Sequence, residues 1–413
     1  MQISTMRRVD RLLGVPVCFF LTIIRNVLER GRVRQPAEPR RIIFVKLAEQ
    51  GSTVLACQAL QHAGELVGRE NLYFLAFEEN RFILDAMDLV PEQNIITIDQ
   101  KSLFSVVFSA CRAIRAMRRK KVQIAIDMEF FARSSAALCF LSGAKWRVGF
   151  HAFFGEASYR GDLVTHRMLF NSRLHTSQTF VSLVQALEVD PGLLPTSPRP
   201  VPDLNEEPPP FRPEETELEQ VTALIRRETS RDRVPPLLLF NANCSDLLLL
   251  RRWPSGRYVE LGRRILAKYP ELYVGFTGAP SEAAAADGLV RQIGSERCLS
   301  FAGKTTLREL LVLYCASRML VTNDSGPAHF AALTPIDVVV LFGPESPDLF
   351  AARTPRNHVL WAGIVCSPCI NAFNDRCSPC TDNLCMQAIT TDQVFEKVCA
   401  LYEDQARRRV GSS

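Results

Sequence analysis

Thr322-Asn323-Asp324-Ser325-Gly326-Pro327-Ala328-His329 holds the residue types and spacing that point most directly to chemistry in this 413-residue chain. It lies between a β-branched run and an apolar helical pattern. Ser325 or Gly326 suits a helix N-cap, and Pro327 suits the first helical position, where an N–H would be unpaired anyway. The uncommitted N–H groups of such a turn, with the positive end of the helix dipole, make a site for an anion such as a diphosphate. His329, about one turn further on, can give that anion a hydrogen bond or a proton. The same residues also fit an ordinary capped helix with Asp324 as a turn residue. The motif alone does not separate the two.

Two other segments fit the same chemistry. Arg251-Arg252-Trp253-Pro254 precedes a helix, and guanidiniums beside a phosphate site would neutralise a leaving diphosphate. A solvated pair is the plain alternative, disfavoured by four leucines before it and Trp253-Pro254 after it. Gly278-Ala279-Pro280-Ser281-Glu282 ends a strand pattern. Glu282 can accept from two ribose hydroxyls, as acidic residues do in dinucleotide folds, or simply complement the helix dipole. Five of the 13 cysteines fall between Cys366 and Cys385, in two C-x-x-C pairs and one more. Their intervening gap is shorter than the roughly 15–20 residues of a zinc ribbon, so structural zinc at Cys366–Cys380 is possible but not favoured. The other cysteines sit among apolar residues and read as core.

Such residues need strand ends and helix starts to hold them, and the pattern supplies both. Ile42–Val45, Leu72–Phe77, Asn94–Ile98 and Val122–Ile126 read as strands, separated by helices at Ser52–Ala63, Glu79–Met87 and Leu103–Met117. A second alternation runs through strands Leu237–Asn241, Leu272–Thr277, Met319–Thr322 and Val338–Phe342. Helices near Tyr258–Ala267, Ser281–Ile293, Leu307–Cys315 and Pro327–Leu333 separate them. Strands apolar on both faces, alternating with helices, predict parallel sheets covered on both sides. Asp190–Glu215, with nine prolines and no periodicity, reads as a linker. Two Rossmann-type α/β domains facing a central cleft follow, with the ligand expected at the strands' carboxyl ends. The expected divisions are 1–40, a basic and apolar N-terminal segment, and 41–189, an N-terminal Rossmann-like domain. A linker at 190–232, a C-terminal Rossmann-like domain with the Cys-rich stretch at 233–390, and a terminal helix at 391–413 complete them.

Composition narrows the class. With 47% hydrophobic and 23% charged residues the chain is globular, not mainly disordered or fibrous. Its net charge is +5, yet residues 1–41 carry nine Arg against Asp10, Glu29 and Glu38, so the remainder sums to −1. The body is therefore no general polyanion binder, and no nucleic-acid partner is expected. Leu12–Ile24 is free of charge and flanked by Arg7, Arg8, Arg11 and Arg25. Thirteen residues fall short of the roughly 20 that span a bilayer. An apolar helix on a membrane surface is expected, with a helix packed on the protein's own body as the alternative.

The set VTNDSGPAHFAA, RRWP, TGAPSE, AGKTTLREL and LFGP, in this order, resembles the C-terminal half of glycosyltransferase family 9, the lipopolysaccharide heptosyltransferases. IIFVKLAEQGSTVLACQAL and DMEFFARSSAALCFLSGAKWRVGF resemble the N-terminal half, and the likeness runs from about Arg41 to the C-terminus. The resemblance implies a GT-B fold and metal-independent, inverting transfer of heptose from an ADP-sugar to a membrane glycolipid. It places the enzyme in the cytoplasm, on the inner face of the inner membrane. By position, the backbone at Ser325 and Gly326, with Asp324 and His329, would hold the diphosphate. Arg251 stands where the family has a phosphate-binding Lys, Glu282 would hold the ribose, and Asn243 stands where the family often has a hydroxyl. One departure matters. The family reads Gly-Asp in its first strand–helix loop, the Asp being its general base, whereas this chain reads Gly51-Ser52. A Ser is far too weak an acid to serve unaided. Glu49, three residues upstream, is expected to replace the Asp, with Ser52 as a supporting N-cap. The competing expectations are a different nucleotide sugar and envelope glycan, or a catalytically silent protein of this fold.

Overall fold

A computed structural model describes residues 3–29, 40–155, 158–196, 199–203, 207–244, 246–374 and 376–410. Arg30, Arg32, Arg34 and Glu38 of the basic N-terminal segment lie outside them. The chain forms two compact units, Met1–Glu206 with Asn371–Cys377, and Glu207–Ile370 with Ser378–Ser413.

The first unit opens with α1 (Ile3–Leu28) and then alternates β1 (Ile42–Val45), α2 (Gln50–Val54), α3 (Cys57–Val67), β2 (Leu72–Phe77), α4 (Arg81–Met87) and β3 (Ile95–Ile98). It continues with α5 (Leu103–Arg119), β4 (Ile124–Asp127), α6 (Arg133–Leu141), β5 (Trp146–Phe150), β6 (His166–Met168) and α7 (Thr176–Gln185). All pairings are parallel, in the order β3-β2-β1-β4-β5-β6. The strands form here because Ile42–Val45 and Leu72–Phe77 are buried along their whole length, which suits a sheet covered on both faces. The expected single helix at Ser52–Ala63 is two, broken at Leu55-Ala56.

The second unit contains α8 (Glu215–Thr229), β7 (Leu237–Asn241), α9 (Ser255–Lys268), β8 (Tyr273–Phe276), α10 (Ala283–Ile293), β9 (Cys298–Ser300) and α11 (Leu307–Cys315). β10 (Met319–Asn323), α12 (Gly326–Ala331), β11 (Asp337–Phe342), α13 (Pro347–Phe350), β12 (Asn357–Trp361), α14 (Leu384–Gln387) and α15 (Thr391–Val410) complete it. The order is β12-β11-β10-β7-β8-β9, again parallel. Phe240, Trp253, Tyr258 and Phe276 fill its core edge to face. The unit thus repeats the first unit's pattern. The strand order reverses between β1 and β4 in one sheet and between β7 and β10 in the other. In open α/β sheets such switch points leave a crevice at the strands' carboxyl ends, where ligands bind.

The N-terminal helix is longer than the uncharged run that signalled it. α1 spans 26 residues, with Pro16 inside it, and Arg8–Leu28 is long and apolar enough to cross a bilayer by length and composition alone. Its docked stripe is made of Asp10, Gly14, Cys18, Thr22 and Arg25, spaced three or four residues apart so that they share one face. Asp10 accepts from the N–H groups of Arg133 and Ser134 at 3.1 and 2.7 Å, capping α6 from another helix. Thr22 Oγ1 accepts from Asp162 N–H at 2.9 Å, and Arg25 pairs with the Asp162 carboxylate at 2.6 Å. Buried Arg147 reaches Glu29 at 2.5 Å. Gly14 is needed for the approach, since a Cβ there would sit 2.6 Å from Arg133 Cβ. Leu12, Leu13, Phe19, Phe20, Ile24 and Leu28 face outward.

Candidate active site

In the first unit the sequence-predicted residues lie at the β1/β4 switch point. Register Val45↔Asp127 puts Leu47 beside Glu129, two residues on along each chain. Glu129 Oε1 accordingly accepts from the N–H groups of Leu47 and Ala48 at 2.7 and 3.0 Å, holding the β1–α2 loop. Lys46, buried, donates to Ala48 O at 3.1 Å and lies 3.8 Å from Glu129. Glu49 follows in the left-handed region at φ 70° and is itself the N-cap residue of α2. Glycine adopts that conformation without strain, so a Glu there is held by its surroundings.

The expected N-cap role of Ser52 is corrected. Ser52 lies inside α2, because the helix begins at Gln50, and its hydroxyl donates back to Glu49 O at 2.9 Å. The same hydroxyl stands 3.4 Å from Glu49 Oε2, so it still supports that carboxylate. Glu49 Oε1 is paired with Arg376, which the sequence reading did not single out. Arg376 belongs to the Asn371–Cys377 segment of this unit, anchored by Phe373 against Phe131 and Phe170 at 5.9 and 5.4 Å. Nothing in the local sequence links residues 49 and 376. Asp127, at the end of β4, is fully buried, accepts from Ser135 Oγ at 3.0 Å and is paired with Arg160. Burial pushes its pKa up to about 6 against the pull of Arg160. A carboxylate so enclosed organises the strand end and cannot reach a substrate hydroxyl.

In the second unit the predicted residues gather at the β7/β10 switch point. Asn323 Oδ1 accepts from Trp253 N–H at 3.0 Å and Tyr258 OH at 3.2 Å, and its Nδ2 donates to Asn243 O at 3.0 Å. Asn323 thereby ties the ends of β7 and β10 to the start of α9. Of the Arg pair, Arg252 is exposed and Arg251 turns inward. Arg251 Nη1 donates to Asp324 O at 3.3 Å, and its guanidinium lies 3.5 Å from the Asp324 carboxylate and 2.6 Å from buried Glu345. Glu345 was missed; it directly follows the LFGP element. Ser325 occupies the N-cap of α12 by position, but its hydroxyl donates to Asn323 O at 3.2 Å and makes no cap bond. Pro327 is the second helical residue, and His329 is buried on the same short helix.

Glu282 Oε2 accepts from Ala279 N–H at 2.7 Å, the helix-start role weighed against ribose binding. It nevertheless stands by the strand ends. A Cβ on Gly278 would lie 3.0 Å from Glu282 Oε2 and 3.1 Å from Asn243 Nδ2, so these three residues are neighbours. Cys366, Cys377 and Cys380 are exposed, while Cys385 is buried. Among the described residues no three or more His, Cys, Asp and Glu side chains group as metal ligands would. Six cysteines outside this cluster are buried, as expected, and burial raises the Cys57 and Cys298 thiols to about 12. Cys111, read as core, is exposed on α5.

The sequence profile of Glycosyltransferase family 9 (heptosyltransferase) matches residues 110–376, more than half of the chain. The chain belongs to this family. Lipopolysaccharide heptosyltransferase 2 of Salmonella typhimurium is 30% identical over 113 residues, 27% of this chain and 32% of that protein. The Escherichia coli protein of the same name is 32% identical over the same shares. The matched stretch thus spans about a third of these curated relatives. In structure, E. coli ADP-heptose lipopolysaccharide heptosyltransferase II superposes with a TM-score of 0.67 at 19% identity, over 89% of this chain and 99% of that one. E. coli heptosyltransferase WaaC with ADP-2-deoxy-2-fluoro heptose gives 0.58 at 14% identity, over 87% and 98%. These likenesses show the GT-B fold of two Rossmann-like domains.

Proposed function

We propose that this family 9 protein transfers a heptose, with inversion, from ADP-heptose to a lipopolysaccharide-core glycolipid at the cytoplasmic face of a membrane. The observation that carries this reading is the cluster of Arg251, Asp324, Ser325 and His329 at a topological switch point, where an α/β sheet binds nucleotides. In the proposed mechanism Glu49 Oε2, steadied by Ser52, takes the proton of the acceptor hydroxyl as that oxygen attacks the anomeric carbon. The N–H groups of Ser325 and Gly326, with His329, stabilise the departing ADP. Arg251 leaves Glu345 for the phosphates, and Glu282, with Asn243 nearby, receives the ribose side of the nucleotide. The inside-out α1 supports a membrane-surface location: its polar stripe is spent on α6 and on Asp162, and its apolar faces point away.

A panel of ADP-, UDP- and GDP-sugars with membrane glycolipid as acceptor tests the reading, run with wild type and Glu49→Gln. Wild type should turn over ADP-heptose alone. Glu49→Gln should lose at least a hundredfold in rate while calorimetric ADP binding stays within twofold. Unchanged turnover would remove Glu49 as the base. ADP binding without any transfer by wild type would mark a silent member of the family.

A further inference from the structure

Helix α5 carries an exposed stripe that the function above does not use. Crossover helices of a parallel sheet normally turn their polar side to water. α5 turns Ser109, Ala113 and Met117 inward and leaves Phe104 80% and Phe108 61% exposed, with Val107 beside them. The two Phe rings stack on each other at 6.4 Å. Positions 104, 107, 108 and 111 follow the i, i+3, i+4, i+7 spacing of one helix face, and all four are exposed. Further along, the same face continues as Arg115, Arg118 and Arg119, with Arg112 at its edge. The helix contains no acidic residue. An apolar half followed by a cationic half on one outward stripe matches the boundary between acyl chains and anionic headgroups.

The placement of α5 adds a second line of support. α6 packs against both α1 and α5. Arg118 Nε donates to Leu141 O at 2.9 Å on one side, and Cys18 of α1 is buried against Ala136 on the other. Two helices with outward apolar stripes therefore share one neighbour. α1 buries its polar stripe and turns its apolar faces out, whereas α5 packs Val106, Ala110, Ala113, Ile114 and Met117 on the core and carries Phe104, Val107 and Phe108 as an additional apolar patch outside.

We propose that the exposed face of α5 is a lipid-contacting surface, in which Phe104, Val107 and Phe108 enter an anionic bilayer beside α1 and Arg112 and Arg115 meet its headgroups. The proposal rests on the membrane-surface reading of α1 and would give the first unit two lipid contacts, fixing its tilt as well as its location.

Sedimentation of the full chain with phosphatidylglycerol–phosphatidylethanolamine vesicles, and with phosphatidylcholine vesicles as control, tests it. Wild type should partition onto the anionic vesicles, and less at high salt. Phe104→Ser with Phe108→Ser should lower that partition at least fivefold without changing the melting temperature, both side chains being outward. Arg112→Gln with Arg115→Gln should weaken binding to the anionic vesicles alone. If the Phe pair binds like wild type while Leu13→Ser with Phe20→Ser loses binding, the α5 proposal falls and the α1 reading stands. A wild type that stays in the supernatant overturns both. If the Phe substitutions abolish self-association in solution and leave vesicle binding unchanged, the face belongs to a second copy of the chain and the proposal is wrong.

Discussion

Arg251 stands between two carboxylates, Asp324 and Glu345, where a diphosphate is proposed to bind. That arrangement fixes the guanidinium before the ligand arrives but sets one cation against two anions. Each incoming phosphate must therefore win Arg251 from Glu345. Glu345→Gln removes the competitor while keeping the shape, so ADP should bind about tenfold tighter by calorimetry, or about 1.4 kcal/mol. Arg251→Gln should move affinity the other way, and equal effects from both would argue that neither faces the nucleotide. Part of this cluster was legible from residue types: strand ends followed by Asp-Ser-Gly or by Arg-Trp-Pro announce themselves. Glu345 did not, because a Glu after Gly-Pro has no local signature and matters only once β11 lies beside β10. Arg376 is the same case at longer range. It reaches Glu49 across more than three hundred residues of chain, and Phe373 holds it there, so no spacing rule could pair them.

Among elements, the strands were the readily legible part. Ile42–Val45, Leu72–Phe77 and Leu237–Asn241 stand where their apolar runs place them, since a doubly covered strand has nothing else to be. Short or polar strands escaped notice: His166–Met168 and Cys298–Ser300 have three residues each, and Asn357–Trp361 is only partly buried. The uncharged run of thirteen residues marks only half of α1, because the helix continues past it through Asp10 and Arg11 on one side and Arg25 on the other. Its attachment runs through a few polar contacts, from Asp10 to Glu29. Gly14→Val would drive a side chain into Arg133, and Asp10→Ala would remove a cap of about 1 kcal/mol from α6. Combined, they should raise hydrogen exchange throughout α1 and at the amides of Arg133 and Ser134, while β1 and β4 keep their protection. Protection unchanged in α1 would mean that its docking does not depend on this stripe.

For the molecule as a whole, the +5 net charge resolves into a near-neutral pair of α/β units and a basic N-terminal segment. The two units repeat one strand order, so the fold alone does not say which of them binds nucleotide. Their switch points differ in chemistry. The first closes on Glu49, Glu129 and a buried Lys46, with backbone N–H groups of the loop already taken by Glu129. The second presents Arg251, Ser325, Gly326 and His329, with Asn243 and Glu282 on the neighbouring strand ends. Nucleotide should therefore stabilise one unit only. At ADP a hundredfold above its Kd, binding adds about 2.7 kcal/mol to whatever must open for the ligand to leave. Hydrogen exchange with saturating ADP should slow by about two orders of magnitude around 241–253, 276–284 and 322–331, and stay within a factor of two across β1–β6. A unit with its own sheet and core opens on its own terms, so the protection should stop at the boundary between the units. Slowing centred on 45–54 and 127–135 instead would move the nucleotide to the first unit and reverse the roles of Glu49 and Arg251.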